Sequence, residues 1–250
     1  MSENIKVEHS KGILCLTLAR VEKKNALTGA MYAALTQAIR AAATDGTRAI
    51  VIAGGEGIFC AGNDIADFLR AGAEQGFDGM PALDFIRLLA TNTIPLIAAI
   101  DGPAIGIGTT LILHCDLVYA SPRALFRMPF VDLGLVPEAG SSLLVPMRVG
   151  MAKATEFLML GEAFDAADAL RLGLVNAIVA PEALLAHAMA QAKKLAVKPA
   201  HSLVATRRLM RGDSAALLAR IEEEIAVFAA GMKTPQARQM FEAFLARSKG

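Results

Sequence analysis

The sequence has few of the residues that secreted proteins use. Its 250 residues include only three cysteines, Cys15, Cys60 and Cys115, and these are odd in number and widely spaced. The N-terminus has no basic segment followed by an apolar one. We therefore expect no disulfide framework and no signal peptide, and we expect a reducing, cytoplasmic location.

The sequence also has almost no excess of positive over negative charge, and it has few aromatic residues. Lys and Arg number 25 against 24 Asp and Glu, aromatic residues make up 5%, and there is no tryptophan. Without a basic stripe or stacking platforms, we expect no nucleic-acid partner. No metal site is predicted either, because the histidines show no ligand-like spacing with cysteines or carboxylates; they are His9, His114, His187 and His201.

Long uncharged apolar runs are missing, although 54% of the residues are hydrophobic and the mean hydropathy is +0.46. The most apolar stretch, Ile94–Ala120, is interrupted by Asp101, His114 and Asp116. Spanning a membrane needs roughly 18 or more apolar residues, so we expect no membrane partner. The apolar surplus must be buried within the fold or between subunits.

The hydrophobic pattern changes along the chain. An N-terminal hairpin is predicted at Ile5–Glu8 and Ile13–Leu18, and buried strands at Ala49–Ala53 and Ile94–Ile100. The glycine-containing segment Arg70–Pro81 is predicted to be a mobile loop. Strands alternating with helices predict an α/β fold with largely parallel sheets. After about residue 142 helices dominate, and we divide the chain into a core domain over 1–195 and a helical region over 196–250, whose apolar stripes indicate docking or oligomerisation.

The first candidate site is Phe59–Ile65. Gly62 allows the backbone to approach a ligand closely, and the N–H of Asn63 then points into a cavity. The alternative is an ordinary strand-to-helix turn capped by Asn63 or Asp64.

The second candidate is Asp101–Thr110, which follows a buried strand and opens an apolar helix. Glycines 106 and 108 flank Ile107 and expose N–H groups where the helix dipole favours negative charge. A dinucleotide loop is excluded because the spacing does not follow G-x-G-x-x-G. The remaining alternative is close helix packing between small residues.

The third candidate is Glu138, the only charged residue in the apolar stretch Leu133–Met147. A carboxylate in such surroundings has a raised pKa and is able to take and return a proton. The alternative is a carboxylate that serves the helix dipole near Ser141. Two N–H donors and one carboxylate, without a metal, a histidine base or a nucleophile, match enolate chemistry on a thioester.

Five segments, in order, resemble the enoyl-CoA hydratase/isomerase (crotonase) family, and the resemblance extends over nearly the whole chain. They resemble its CoA-contacting loop (Arg20–Leu27), its two oxyanion loops (Phe59–Ile65 and Gly102–Asp116), its catalytic segment (Phe126–Ser142) and its helical link (Ala154–Gly173). The resemblance implies a spiral of ββα units with a C-terminal helical region that forms trimers or dimers of trimers. It also implies a CoA thioester substrate and no separate cofactor, since coenzyme A is part of the substrate.

The resemblance carries roles to particular residues. The backbone N–H groups of Asn63 and Ile107 become the oxyanion-hole donors. The family usually has glycine at the position of Ile107, but an isoleucine fits there if its φ is negative. Hydratases of the family place glutamates where this chain has Thr110 and Phe130, whereas isomerases of the peroxisomal type share a Pro-Glu-x-x-Ser-Ser segment like that around Glu138. The further substrate-binding and CoA-binding candidates are Lys23, Lys24, Ala26, Ala61, Gly62, Asp64, Ile65, Gly106, Phe130 and Pro137.

The resemblance predicts an isomerase that moves a 3-enoyl-CoA double bond to the 2-position in fatty-acid or related acyl-CoA catabolism, with Glu138 as the proton shuttle. The alternatives are a 2-enoyl-CoA hydratase and an acyl-CoA-binding oligomer without catalysis. Lys23 and Lys24 are candidates for CoA phosphates or are solvated surface lysines. Met80, Phe85 and Leu89 either line an acyl tunnel or belong to the core.

Overall fold

The computed structural model describes residues 2–55, 57–75 and 77–247. The strands are β1 Ile5–Ser10, β2 Ile13–Leu18, β3 Ala49–Ala53, β4 Leu96–Ile100, β5 Pro103–Ile105, β6 Leu117–Ala120, β7 Leu125–Arg127, β8 Phe164–Asp165 and β9 Ala177–Ile178. The helices are α1 Gly29–Ala42, α2 Ile65–Gln75, α3 Pro81–Thr91, α4 Ile107–Thr110, α5 Ser141–Leu158, α6 Ala166–Arg171, α7 Pro181–Ala196, α8 Ala200–Arg211, α9 Ser214–Met232 and α10 Pro235–Arg247.

The main sheet has the strand order β1-β2-β3-β4-β6-β9. β1 and β2 form the predicted antiparallel hairpin, and every other pairing in this sheet is parallel. Strands β3 and β4 are buried along their whole length, with α1 and α3 on one side and α7 on the other. Burial on both faces explains why these strands are continuous apolar runs rather than alternating ones. The predicted α/β fold is confirmed.

A second sheet, with the order β5-β7-β8, begins directly after β4. β5 pairs in parallel with β7, which pairs antiparallel with β8. This small sheet brings the end of β4 and the start of α4 beside the segment around Cys60, which forms an isolated bridge with Ala104. Two of the candidate segments therefore meet at the edge of the second sheet.

The prediction of a loop over Arg70–Pro81 is wrong. Helix α2 continues to Gln75, a short 3-10 helix follows at Phe77–Gly79, and α3 begins at Pro81. Phe68 of α2 is buried and meets Phe228 edge to face, with 6.1 Å between the ring centroids. A glycine inside a helix costs only about 1 kcal/mol, so packing of this apolar face outweighs the glycine signal.

Two further segments are irregular. The run Ile58–Ala61 forms no regular strand and contains only isolated bridges. Helix α5 is interrupted at Gly150, whose φ of +79° and ψ of 160° are not helical. It therefore consists of two helical parts joined by a kink, and Pro146 lies inside the first part.

The C-terminal helices cover one side of the core. α9 packs against α3 and α5, and α10 packs against α2. The Asp116 carboxylate links α8 to the main sheet. It accepts hydrogen bonds from Arg207 and Arg211 of α8 and from the Leu96 N–H of β4. The division into regions 1–195 and 196–250 stays a prediction.

Several large apolar side chains remain exposed near α8. Met147, Val204, Leu209 and Met210 are exposed and line a cavity of about 800 Å³. Surfaces of this kind suit subunit contact, and the trimer stays a prediction. No helix among the described residues is long and apolar enough to cross a membrane.

Candidate active site

The two predicted oxyanion loops lie against each other. The Cys60 N–H donates to the Pro103 carbonyl (2.9 Å), and the Ile105 N–H donates to the Cys60 carbonyl (2.8 Å). Gly108 allows this approach, because a Cβ there would lie 2.7 Å from the Cys60 oxygen. Gly62 has φ +96°, and a Cβ there would lie 3.1 Å from the Ile105 oxygen. Both positions therefore require glycine for the loops to meet.

The N–H groups of Asn63 and Ile107 have no acceptor within the described part of the chain. Their neighbours are occupied, since the Asp64 N–H donates to the Leu27 carbonyl and the Gly106 N–H to the Arg127 carbonyl. Ile107 is the first residue of α4, where an N–H has no partner within the helix. Gly106 takes the positive φ of +55°, so the isoleucine after it is helical.

The Asn63 and Asp64 side chains are held by neighbouring elements. The Tyr32 hydroxyl donates to Asn63 Oδ1 (2.5 Å). Asp64 accepts from the Asp67 N–H (3.1 Å), in the first turn of α2, and from Arg20 (2.9 Å). Asp64 therefore caps the turn before α2, as the alternative interpretation of this segment expects. The backbone N–H of Asn63 takes no part in this capping.

Glu138 lies three residues before α5 and is 9% exposed. The Thr110 hydroxyl, at the end of α4, donates to its Oε1 (2.5 Å). Burial raises the pKa of Glu138 to about 8, against the hydrogen bond from Thr110, which lowers it; the charge of Glu224 adds to the rise. Such a carboxyl is able to exchange protons near neutral pH.

The alternative role for Glu138, stabilising the helix dipole near Ser141, belongs to another residue. Glu224 of α9 accepts from the N–H groups of Gly140 (2.6 Å) and Ser142 (2.9 Å) at the start of α5. Nothing in the local sequence singles out Glu224, which lies in an acidic run, Glu222–Glu224. The available signal is its helical spacing from the buried Ile221 and Phe228.

Glu138 and the first oxyanion loop share one electrostatic environment. The pKa of Tyr32, whose hydroxyl holds Asn63, is raised well above its ordinary value by burial, and further by the charges of Glu138 and Cys60. Burial also raises the pKa of Cys60 to about 12, with the charge of Glu138 adding to the rise. One buried region therefore contains the carboxyl and the loop that carries Asn63.

The predicted CoA-contacting residues lie beside the first oxyanion loop. Lys23 and Lys24 have exposed side chains, and the Lys24 carbonyl accepts from the Ala61 N–H (3.0 Å). The Ala26 carbonyl accepts from Arg20, which also binds Asp64. Ile65 begins α2 and is half-buried. The structure brings this group of candidates together through the backbone.

The remaining candidates lie on the Glu138 side or in the core. Phe130 is buried and Pro137 is half-buried next to Glu138. The alternative that Met80, Phe85 and Leu89 belong to the core is supported, because all three are buried in the main apolar cluster.

Thr110→Val is expected to raise the pKa of Glu138, because the hydroxyl stabilises the carboxylate and valine has no donor. A hydrogen bond to a charged group is worth roughly 1.5–3 kcal/mol, which changes the ionised fraction about tenfold or more. Carboxyl ¹³C NMR would follow the titration. Thr44→Val, on an exposed threonine, is the control and should leave it unchanged. A Glu138 titration identical in Thr110→Val and unmodified protein would contradict the role of Thr110.

A family model described as enoyl-CoA hydratase/isomerase matches residues 8–250. Enoyl-CoA delta isomerase 2 of Rattus norvegicus is 34% identical over 227 residues, which cover 89% of this chain and 58% of that protein. A probable enoyl-CoA hydratase of Rhizobium meliloti is 34% identical, covering 72% of this chain and 77% of that protein. The chain thus spans little more than half of the rat isomerase.

Two solved structures are similar to this chain over nearly its full length. Pseudomonas aeruginosa OdaA is 42% identical with a TM-score of 0.91, covering 97% of this chain and 99% of that one. An enoyl-CoA hydratase/isomerase from Pseudoalteromonas atlantica T6c is 35% identical with a TM-score of 0.92, covering 98% of each chain. The fold class expected from the resemblance is therefore confirmed.

Proposed function

Because the chain belongs to the enoyl-CoA hydratase/isomerase family, we propose that it shifts the double bond of a 3-enoyl-CoA to the 2-position. The observation that carries the proposal is that the hydrogen-bond partner of the buried Glu138 carboxyl is the Thr110 hydroxyl and not a second acid. Thr110 and Phe130 occupy the positions where the resemblance places the glutamates of hydratases. A shuttle that takes and returns one proton needs only one carboxylate.

In the proposed reaction, the thioester oxygen accepts hydrogen bonds from the N–H groups of Asn63 and Ile107. The Glu138 carboxylate removes a proton from carbon 2, and the electron pair of that C–H bond delocalises into the carbonyl as a dienolate. The two donors stabilise the oxyanion. Glu138 then returns the proton to carbon 4, which restores the thioester carbonyl and leaves the double bond between carbons 2 and 3 instead of carbons 3 and 4.

The buried position of Glu138 suits both proton transfers. A pKa of about 8 makes the carboxylate a stronger base than an exposed glutamate and leaves its acid able to reprotonate the dienolate. We also propose that Lys23 and Lys24, exposed beside the first oxyanion loop, pair with CoA phosphates. The hydrogen bond from the Ala61 N–H to the Lys24 carbonyl, which joins the lysine segment to the first oxyanion loop, supports this assignment.

A second candidate is hydration of a 2-enoyl-CoA. It is supported by the similarity to the probable hydratase of Rhizobium meliloti and to 2,3-dehydroadipyl-CoA hydratase of Escherichia coli, which is 34% identical. Hydration requires an oriented water molecule and delivery of a proton to carbon 2. Phe130 is 7% exposed and apolar, so it provides neither. This argument favours isomerisation.

Incubation with a 3-enoyl-CoA and with crotonyl-CoA would separate these candidates. We expect the 3-enoyl-CoA to give the conjugated thioester, followed by ultraviolet absorbance, and crotonyl-CoA to be hydrated far more slowly. Faster hydration than isomerisation would favour the hydratase. Binding of both thioesters without turnover would favour the non-catalytic acyl-CoA-binding oligomer.

A further inference from the structure

Glu224 is a buried carboxylate that contacts the segment carrying Glu138 from a distant part of the chain. It is 5% exposed and lies on α9. Its Oε2 accepts from the Gly140 N–H (2.6 Å) and its Oε1 from the Ser142 N–H (2.9 Å). Both carboxylate oxygens are thus used on backbone groups that follow Glu138 by two and four residues.

The segment between Glu138 and α5 has a backbone that needs such support. Ala139 has φ +57° and Gly140 has φ +71°, and a positive φ is uncommon for alanine. The His114 Nε2–H donates to the Ala139 carbonyl (2.7 Å). A Cβ at Gly140 would lie 2.4 Å from Leu217 Cδ1 of α9. The turn is therefore held by His114 on one side and by α9 on the other.

We propose that Glu224 is a positioning residue for Glu138, which it serves by fixing the Gly140 and Ser142 N–H groups and by placing a like charge near the Glu138 carboxyl. The inference rests on the proposed function, because the proposed function makes Glu138 the group that transfers protons. The C-terminal helix α9 thereby determines both where the base stands and how readily it ionises.

The other titratable groups near Glu138 do not change their charge in the pH range where Glu138 titrates. Burial keeps the pKa values of Tyr32 and Cys60 above their ordinary values, and burial lowers that of His114 to about 4. These three groups are neutral between about pH 6 and 9. Arg220, on the same helix as Glu224, is the cation that faces it and lowers its pKa, although burial raises that pKa overall.

Glu224→Gln keeps the size of the side chain but removes the charge and replaces one acceptor by a donor. We expect kcat for 3-enoyl-CoA isomerisation to fall roughly 10- to 100-fold through misplacement of the base, with KM changed less than about twofold. We expect the acid limb of the pH profile to move to lower pH, because removing a like charge lowers the pKa of Glu138.

Two further variants separate position from charge. Glu224→Asp keeps the charge but is one methylene shorter, so kcat should fall while the acid limb stays near that of the unmodified protein. Glu223→Gln is the matched control, since Glu223 is 68% exposed and pairs with Arg220 (3.0 Å). It should change neither kcat nor the limb. Thermal melting of each variant would show that it is folded.

A Glu224→Gln protein with the kcat and acid limb of the unmodified protein would overturn the inference while leaving the proposed function intact. Failure of the unmodified protein to isomerise would instead refute the proposed function. The inference would then be judged from the Glu138 titration by carboxyl ¹³C NMR, which should lie at lower pH in Glu224→Gln than in Glu223→Gln. If Glu224→Gln does not fold, Glu224→Asp with a kcat equal to that of the unmodified protein overturns the inference.

Discussion

Glu138→Gln is expected to reduce isomerisation of a 3-enoyl-CoA by roughly 10²- to 10⁴-fold, the usual contribution of a general base. Glutamine preserves the shape of the side chain and still accepts a hydrogen bond from the Thr110 hydroxyl. It cannot take the proton from carbon 2, so the dienolate does not form. Steady-state kinetics of the conjugated product would measure the loss in kcat.

Binding and stability distinguish this loss from a damaged fold. CoA-thioester affinity, measured by calorimetry, should stay near that of the unmodified protein because Glu138 is not among the proposed CoA contacts. Glu8→Gln, on an exposed glutamate of β1, is the control and should retain full activity. A Glu138→Gln protein that isomerises at the unmodified rate would eliminate Glu138 as the base.

The pH profile of the unmodified protein follows from the same group. Because the carboxylate is the active form, kcat/KM should be lost as the pH falls through the Glu138 pKa of about 8. Burial is the main cause of that pKa, so the acid limb lies well above the range of an exposed glutamate.

Gly62→Ala is expected to lower kcat roughly 10²- to 10³-fold, the cost of losing one oxyanion-hole donor. Gly62 precedes Asn63, has φ +96°, and an added Cβ would lie 3.1 Å from the Ile105 oxygen of the second loop. The methyl group must therefore push the two loops apart, and it moves the Asn63 N–H away from the thioester oxygen. Kinetics at saturating substrate would measure the effect.

Gly173→Ala is the matched control for this prediction. Gly173 has φ +73°, close to the region used by Gly62, but an added Cβ meets no atom within 4 Å. Both variants suffer backbone strain, and both are expected to melt at lower temperature than the unmodified protein. Only Gly62→Ala should lose kcat. An equal loss in the two variants would mean that strain, and not loop separation, is the cause.

Local sequence patterns determine much of the fold independently of tertiary contacts. The hairpin of β1 and β2 and the buried strand β3 agree with their predictions, because strand alternation and β-branched runs are properties of neighbouring residues. The same holds for Gly62, Gly106 and Glu138, whose residue types and spacing single out three candidate segments.

The tertiary structure decided which of those segments contact one another. Packing of Phe68 against Phe228 turns a glycine-containing stretch into helix α2, which no local rule predicts. The meeting of the loops at Cys60 and Ala104 depends on pairing between residues far apart in the chain. Glu224 differs from Glu222 and Glu223 only by the helix face that α9 buries. The sequence therefore determined which groups are available for proton transfer, and burial and long-range contact decided which of them face one another.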